Sequence, residues 1–387
     1  MSNRQGAAAP ATAANEAHRA VNRRAQAWLR EAALPLWSTA GIDPRTGGFI
    51  EALDPDGAPV TGVPRRFRVQ ARQVYVHADA ALRYGDEAAR EKAVAAFDWT
   101  ARTCWAADGG WVFSVDDDGA VVDGTRDAYE QAFGIFAAAW LARAAPDSGA
   151  AVWIERTFDF LDHRLAAPQG GYREAIPDRL PRRQNPHMHL LEACLACYDT
   201  TGDTAYLDRA RAIYELFRRH WFDPGHGILG EYFDADWRPV PEQKFEPGHH
   251  MEWTWLLQRL GERTGLETPE APLLHATAER HGRDAAGLLI EECAPDGRPL
   301  LATRRAWPQT EDIKGQLALY ERTGDAACLD RAAAAVERLM ELYLRPNGTW
   351  QDRLDEHGRG MTPNAPASTL YHIVLALNEF DRLCGGA

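Results

Sequence analysis

Six polar or ionisable residues recur along this chain at a nearly constant interval. Arg72, Tyr129, His189, His249, Glu311 and His372 are separated by 57, 60, 60, 62 and 61 residues. Each falls early in an otherwise apolar stretch, so a shared helical register would bring them to one place. Companions sit in the same stretches: Asn185 before His189, Glu252 after His249, and Trp307 and Gln309 just before Glu311. Three imidazoles in one pocket suit reversible proton transfer near neutral pH, because histidine titrates there unperturbed. Arg72 is available to hold an oxyanion or a hydroxyl. The set reads as a proton-shuttling site for a small polar ring compound, with His189, His249 and His372 catalytic and the others binding substrate.

Plainer roles compete for several of these side chains. Asn185 followed by Pro186 is ordinary helix-start chemistry, so capping and ligand binding both stay open. His187 lies two residues from His189 and cannot share its helix face, so it is assigned to packing. His249 and Glu252 do share a face, as an orienting pair or a simple ion pair, and His250 points elsewhere. His372, within ASTLYHIVLAL, would alone read as a satisfied core histidine; its place in the series raises it above that. Trp307 can stack on a ring or fill the core, and Trp253 and Trp255 read as core. Glu252 and Glu311 are conceivable as the paired carboxylates of a glycosidase. Cys194 and Cys197 form a CxxC inside an apolar helix with no second pair, which makes a zinc site improbable. There is no phosphate-binding loop, no GxGxxG after a strand and no GxSxG. No metal and no cofactor is expected.

The elements that must position these residues are repetitive. Glycine turns recur at Gly48, Gly110, Gly171, Gly227, Gly297 and Gly348, a mean spacing of 60. The segment TGDTAYLDRA at 201–210 returns as TGDAACLDRA at 323–332, and YGDEAAREKA starts a looser copy at Tyr84. Each copy pairs a charged amphipathic helix, as at 205–222 and 327–344, with a glycine turn bearing short β-like runs, as at 111–124. A more apolar helix follows, at 68–84, 127–144, 186–200, 248–260, 307–323 and 366–380. Six charged-then-apolar hairpins predict an all-α (α/α)6 barrel with short hairpins in the loops at its mouth. An open solenoid would need polar end repeats, and the last helix is as apolar as the middle ones.

Composition narrows the partners. The 387 residues carry a net charge of -13, which gives no footprint for nucleic acid or an anionic membrane. No run of 18 apolar residues exists to span a bilayer. Residues 1–16 read as a loose tail and 17–387 as one barrel. Six cysteines fit a reduced cytoplasmic protein. Thirteen tryptophans suit a ligand with flat apolar faces, such as a monosaccharide. The expected assembly is a monomer or homodimer.

The stretches QARQVYVHA, NPHMHLLEACLACYDTTGD, EPGHHMEWTWLL, RAWPQTE and PASTLYH resemble the N-acylglucosamine 2-epimerase superfamily of sugar epimerases and isomerases, over about residues 20–383. The resemblance implies an (α/α)6 barrel, His249 and His372 as acid and base, His189 assisting ring opening and Arg72 on the sugar oxygens. RAWPQTE and PASTLYHIV look most like the mannose isomerase and sulfoquinovose isomerase branch. That implies an aldose–ketose isomerase working through a cis-enediol, D-mannose to D-fructose or D-lyxose to D-xylulose. A 2-epimerase using the same histidines is the alternative, and an idle sugar-binding barrel is the non-enzymatic one. Two positions depart from the pattern. Ser368 stands where an aromatic often precedes the last histidine by four, and the arginine expected about ten residues before His249 is at best Arg238. A neutral hexose is therefore expected rather than a sulfosugar.

Overall fold

In the computed structural model, which describes residues 14–241 and 243–385, twelve helices alternate between two kinds. One kind buries a single stripe: α1 (Glu16–Trp28, continued through Leu29–Ala33 to Leu34–Trp37), α3 (Glu87–Cys104), α5 (Ala151–Phe160, continued to Leu165), α7 (Ala205–Leu216, continued to Trp221), α9 (Glu270–His281) and α11 (Ala326–Leu342). In α11 the stripe is Cys328, Leu329, Ala332, Val336 and Leu339, the spacing of one helix face. The other kind is buried almost all round: α2 (Phe67–Tyr84), α4 (Ala128–Ala144), α6 (Asn185–Thr201), α8 (Pro247–Thr264), α10 (Ala306–Thr323) and α12 (Ala367–Cys384). These six form an inner ring enclosed by the striped six. The (α/α)6 barrel expected from the repeats is the fold.

A second set of glycines ends four of the six inner helices. Gly85, Gly202, Gly265 and Gly324 follow α2, α6, α8 and α10 with φ between 65° and 73°, where a side chain would be strained. Asp86 and Asp325 then cap the next outer helices, accepting from Ala89 and Ala327 backbone N–H groups. This stop-and-start chemistry is what the TGD and YGD repeats encode.

The mouth is tied by a belt of two-residue antiparallel pairings between successive repeats. Arg65–Arg66 pairs with Ser114–Val115, Arg126–Asp127 with Ala175–Ile176, Arg182–Arg183 with Tyr232–Phe233, and Arg304–Arg305 with Arg353–Leu354. A single bridge joins Phe245 to Cys293, and Ala365–Pro366 returns to Ala52–Leu53, closing the circle. Behind the belt, one side chain of each of five inner helices clamps the preceding turn. Gln70 bonds both backbone groups of Phe49, Gln131 those of Trp111 and Gln309 those of Leu289. His187 and His250 accept from the N–H groups of Tyr172 and Leu229. The sixth turn is held by α1, where Trp37 stacks on Trp350 at 4.9 Å and donates to the Gly348 carbonyl.

Two expectations need correction. The fifth turn is at Gly287, not Gly297, because Leu289 is the clamped residue. Gly297 belongs to the later hairpin of Glu292–Cys293 with Pro299–Leu301. The steps from Gly227 to the fifth turn and from there to Gly348, which are 70 and 51 residues through Gly297, then become 60 and 61. The tail does not extend to residue 16: Asn15 caps α1 through a reciprocal bond with His18, and residues 1–13 lie outside the described residues. No described helix is long and apolar enough to cross a membrane.

Candidate active site

The N-terminal ends of the inner helices surround a cavity of about 300 Å³. Arg72, Tyr129, Asn185, His189, His249, Glu252, Trp307 and His372 all line it. Glu311 lies directly behind His372. Gln309 does not reach the cavity; its amide is committed to the Leu289 turn. The Asn185 side chain likewise does not cap α6, but meets His249 Nε2 at 3.1 Å.

The clamps give a common register, and it sharpens the series. Two residues past each clamp position stand Arg72, Phe133, His189, Glu252, Glu311 and, past Leu370, His372. Tyr129 and His249 belong one turn or less nearer the mouth. Phe133 therefore replaces Tyr129 in the deeper tier, where the Arg72 guanidinium lies 4.3 Å from its ring centroid and His189 4.6 Å. Arg72 is fixed by donating to Tyr129 Oη at 2.8 Å and to the Ser368 carbonyl.

Two imidazoles contact Trp307, whose ring centroid is 5.1 Å from that of His249 and 5.8 Å from that of His372. Gly248 makes this approach possible, since a Cβ there would meet the Trp307 ring at 2.6 Å. The environments of the two histidines are opposite. Burial opposes charge on His249, but Glu231, at 3.0 Å from Nδ1, with Glu246 and Glu252, outweighs it and raises its pKa to about 10. Its imidazolium Nε2–H requires an acceptor; with the Asn185 amide turned over, the otherwise unpartnered Oδ1 fills that place.

His372 is held well below the ordinary value, first by burial and then by Arg72, Lys314, His189 and Arg305. Its Nδ1 donates to Glu311 Oε1 at 2.8 Å, which leaves Nε2 with a free lone pair. Glu311 in turn meets Lys314 Nζ at 2.6 Å, and neither side chain is exposed. Burial opposes the Lys314 charge, while Glu311, Glu252 and Glu192 together keep it protonated. That ammonium only partly offsets burial and Glu252, which hold the Glu311 pKa well above the ordinary carboxylate value.

His189 forms a third unit. Its Nδ1 is 3.0 Å from Glu192, whose carboxylate also accepts from Tyr371 Oη at 2.5 Å. Glu252 Oε1 is buried at the wall and, among the described residues, has no hydrogen-bond partner. Three trios bring ligand atoms within 4.8 Å of one another: His189, Glu192 and Glu252; Glu231, Glu246 and His249; Glu252, Glu311 and His372. In each, a histidine Nδ1 already meets one of the carboxylates, and Lys314 adds positive charge to the third.

The sequence reading missed Glu231, although a signal was present. GGFIE, GGYRE, GILGE, GLLIE and GTWQD place Glu51, Glu174, Glu231, Glu291 and Asp352 two residues past each clamped position. Arg66, Arg183 and Arg305, on the cavity wall, were also missed; each is the second residue of an Arg-Arg pair just before an inner helix. Arg238, the off-register candidate, lies outside the cavity and bonds Asp236.

The profile of the N-acylglucosamine 2-epimerase (GlcNAc 2-epimerase) family matches residues 47–376. The chain belongs to this family. A protein of Rhizobium meliloti named mannose-6-phosphate isomerase is 37% identical over 92% of this chain and 95% of its own length. The D-mannose isomerase of Marinomonas mediterranea is 28% identical over 87% and 91%. The structure of cellobiose 2-epimerase from Spirochaeta thermophila superposes with a TM-score of 0.86 at 26% identity, covering 95% of this chain and 97% of that one. As an N-acylglucosamine 2-epimerase family member, the chain is an enzyme of the isomerase and epimerase class.

Proposed function

We propose that this enzyme is an aldose–ketose isomerase for a hexose of the mannose type, interconverting D-mannose and D-fructose or, for the pentose analogue, D-lyxose and D-xylulose. The observation that carries the reading is the opposed proton loading of two imidazoles over one cavity: His249 charged, His372 neutral. Environments that push two titratable groups apart assign acid and base. His372 Nε2 removes the C2 proton of the open-chain aldose while His249 gives its Nε2 proton to O1. The C2–H electrons become the C1–C2 double bond of a cis-enediol. His249, now neutral, takes the O2 proton, and His372 returns its proton to C1, leaving the ketose.

Arg72 stabilises the developing oxyanion, and His189 with Glu192 assists ring opening. Trp307 offers the sugar a flat face between the two imidazoles. The names of the relatives, isomerases of mannose and of mannose 6-phosphate, support the isomerase reading. Glu311 is ill suited to glycoside cleavage, because it sits behind His372 against Lys314.

The test is incubation with D-mannose in D2O, with products identified by NMR. Fructose is the expected product. Glucose carrying deuterium at C2 would replace the isomerase with a 2-epimerase. Binding without turnover of any aldose would leave a sugar-binding barrel.

A further inference from the structure

The barrel has a second cavity, of about 240 Å³, toward the C-terminal ends of the inner helices and so opposite the catalytic mouth. Side chains of α2, α4, α6, α8 and α12 line it. Part of the wall is apolar, with Phe136, Leu195, Leu256 and Leu375. Glu192 stands between the two cavities. It lines the rear one, while its carboxylate holds the ring of His189, which lines the front one.

Five arginines and four carboxylates line the rear cavity. Four of the arginines are paired: Arg83 meets Asp381 at 3.2 Å, Arg263 meets Asp199 at 2.5 Å, Arg382 meets Glu379 at 2.9 Å, and Arg259 holds Glu321. The remaining carboxylates are engaged too, Asp79 by Asn378 at 2.6 Å and Glu192 by His189 and Tyr371. Arg143 is the exception. Among the described residues it makes no hydrogen bond and no ion pair within 4.0 Å; its guanidinium stands at the exposed rim, 5.8 Å from the Trp140 ring centroid. Two more donors on that wall are unpaired. Tyr75 is fully buried, its ring 4.8 Å from that of Trp140, yet neither its hydroxyl nor Trp140 Nε1 has a partner among the described residues. Asn378 Oδ1, buried on the same lining, has no donor, while its Nδ2 is fixed by Asp79. Buried polar atoms of folded proteins are ordinarily paired, so this group is a complementary surface for a polar ligand.

We propose that the rear cavity is an effector site for a small hydroxylated monocarboxylate, whose presence is transmitted to His189 through Glu192. The single unpaired cation calls for a single negative charge. The ligand's carboxylate pairs with Arg143 and accepts from Trp140 Nε1–H. Its carbon skeleton lies on the apolar wall, and its hydroxyl accepts from Tyr75 and donates to Asn378 Oδ1. Such an occupant displaces solvent from beside Glu192. A carboxylate that loses solvent holds its charge less readily, and the ring of His189 shares a hydrogen bond with that carboxylate.

The probe is 4-hydroxybenzoate, titrated by calorimetry into the parent protein, Arg143→Gln and Tyr75→Phe, with 4-hydroxybenzamide as the uncharged control. The acid is expected to bind the parent at least roughly tenfold more tightly than the amide. Its affinity should fall by roughly tenfold or more in Arg143→Gln and severalfold in Tyr75→Phe. Neither substitution removes a hydrogen bond of the free protein, so melting temperatures should match the parent's. The ring 15N signals of His189, assigned by their loss in His189→Gln, should shift on saturation in the parent and stay in place in Arg143→Gln. Absence of binding, equal binding of the amide, or a bound acid that leaves the His189 signals unmoved would each overturn the proposal. Binding that survives Arg143→Gln would also overturn it, because the acid would then sit elsewhere, as among the arginines of the front cavity. No readout requires turnover of a sugar, so the result is independent of the isomerase reading.

Discussion

Lys314 and Glu311 form an ion pair of 2.6 Å in which neither side chain is exposed, and the other oxygen of the same carboxylate holds the ring of His372. A buried ammonium without its counter-charge is expensive, so the pair is coupled to the proton affinity of the histidine. In Lys314→Met the lost positive charge lets the His372 pKa rise. A base that must be unprotonated then fails at higher pH, so the acid limb of kcat/KM moves upward. The loss at neutral pH should be smaller than the roughly 10²–10⁴ expected on removing the base itself in His372→Ala. Melting curves check that the fold survives; an unmoved acid limb in folded protein would refute the coupling.

The wild-type pH profile should be a broad plateau rather than a peak near the ordinary histidine value. His372 remains unprotonated until the pH falls well below 6.5, and His249 remains protonated until it nears about 10. Activity should therefore decline only toward those extremes. His249 also links to stability: its folded pKa is raised, so its contribution is complete below about 6.5 and is lost as the pH rises through about 10. Steady-state rates and melting temperatures across pH 5–10.5 give both readouts.

Gly248→Ala should displace Trp307, since the added Cβ has no room against its ring. Both imidazoles contact that ring, so kcat and KM are expected to worsen together while the helix itself gains slightly in propensity. Tryptophan fluorescence and kinetics report the two effects separately.

Gln309→Ala should act on stability and not on sugar binding. It leaves the Leu289 N–H and carbonyl without their partner in a buried turn, at a cost on the order of 1–3 kcal/mol per group. Denaturant titration should show the loss, with the KM of the remaining folded enzyme near that of the parent.

Dialysis against EDTA should leave the rate unchanged, because His249 and Lys314 supply the positive charge in two of the three carboxylate-rich clusters. A loss of activity restored by a divalent cation would reassign one of those trios.

Helix periodicity and the sixty-residue repeat made the inner ring readable, since a helix buried on all sides must be apolar throughout. The terminal glycines were readable too, because a left-handed backbone position selects that residue. The acid–base polarity of the site was not. It depends on Glu231, which meets His249 from a turn, and on Glu311, which meets His372 across helices with Lys314 behind it, and local spacing says nothing of such cross-element encounters. Tyr129 and His249 line the cavity but stand off the common register for a related reason. A count of about sixty tolerates a one-turn error, and only the clamp residues fix the register to the nearest position. Gln309 looked like a ligand residue because it stands two residues before Glu311, yet positions two apart on a helix face different neighbours.

The belt of pairings makes five junctions between successive repeats and one, through Ala52–Leu53 and Ala365–Pro366, between the last and the first. There the first and last helices lie side by side, with Asn22 donating to Asp381 at 2.7 Å and Trp37 standing in for the missing clamp. The cavity is thus indifferent to which junction the covalent chain leaves open. A circular permutant that joins α12 to α1 and opens a different inter-repeat loop should assemble the same histidines. The order of the repeats around the ring, rather than their order from N- to C-terminus, is what the chemistry depends on.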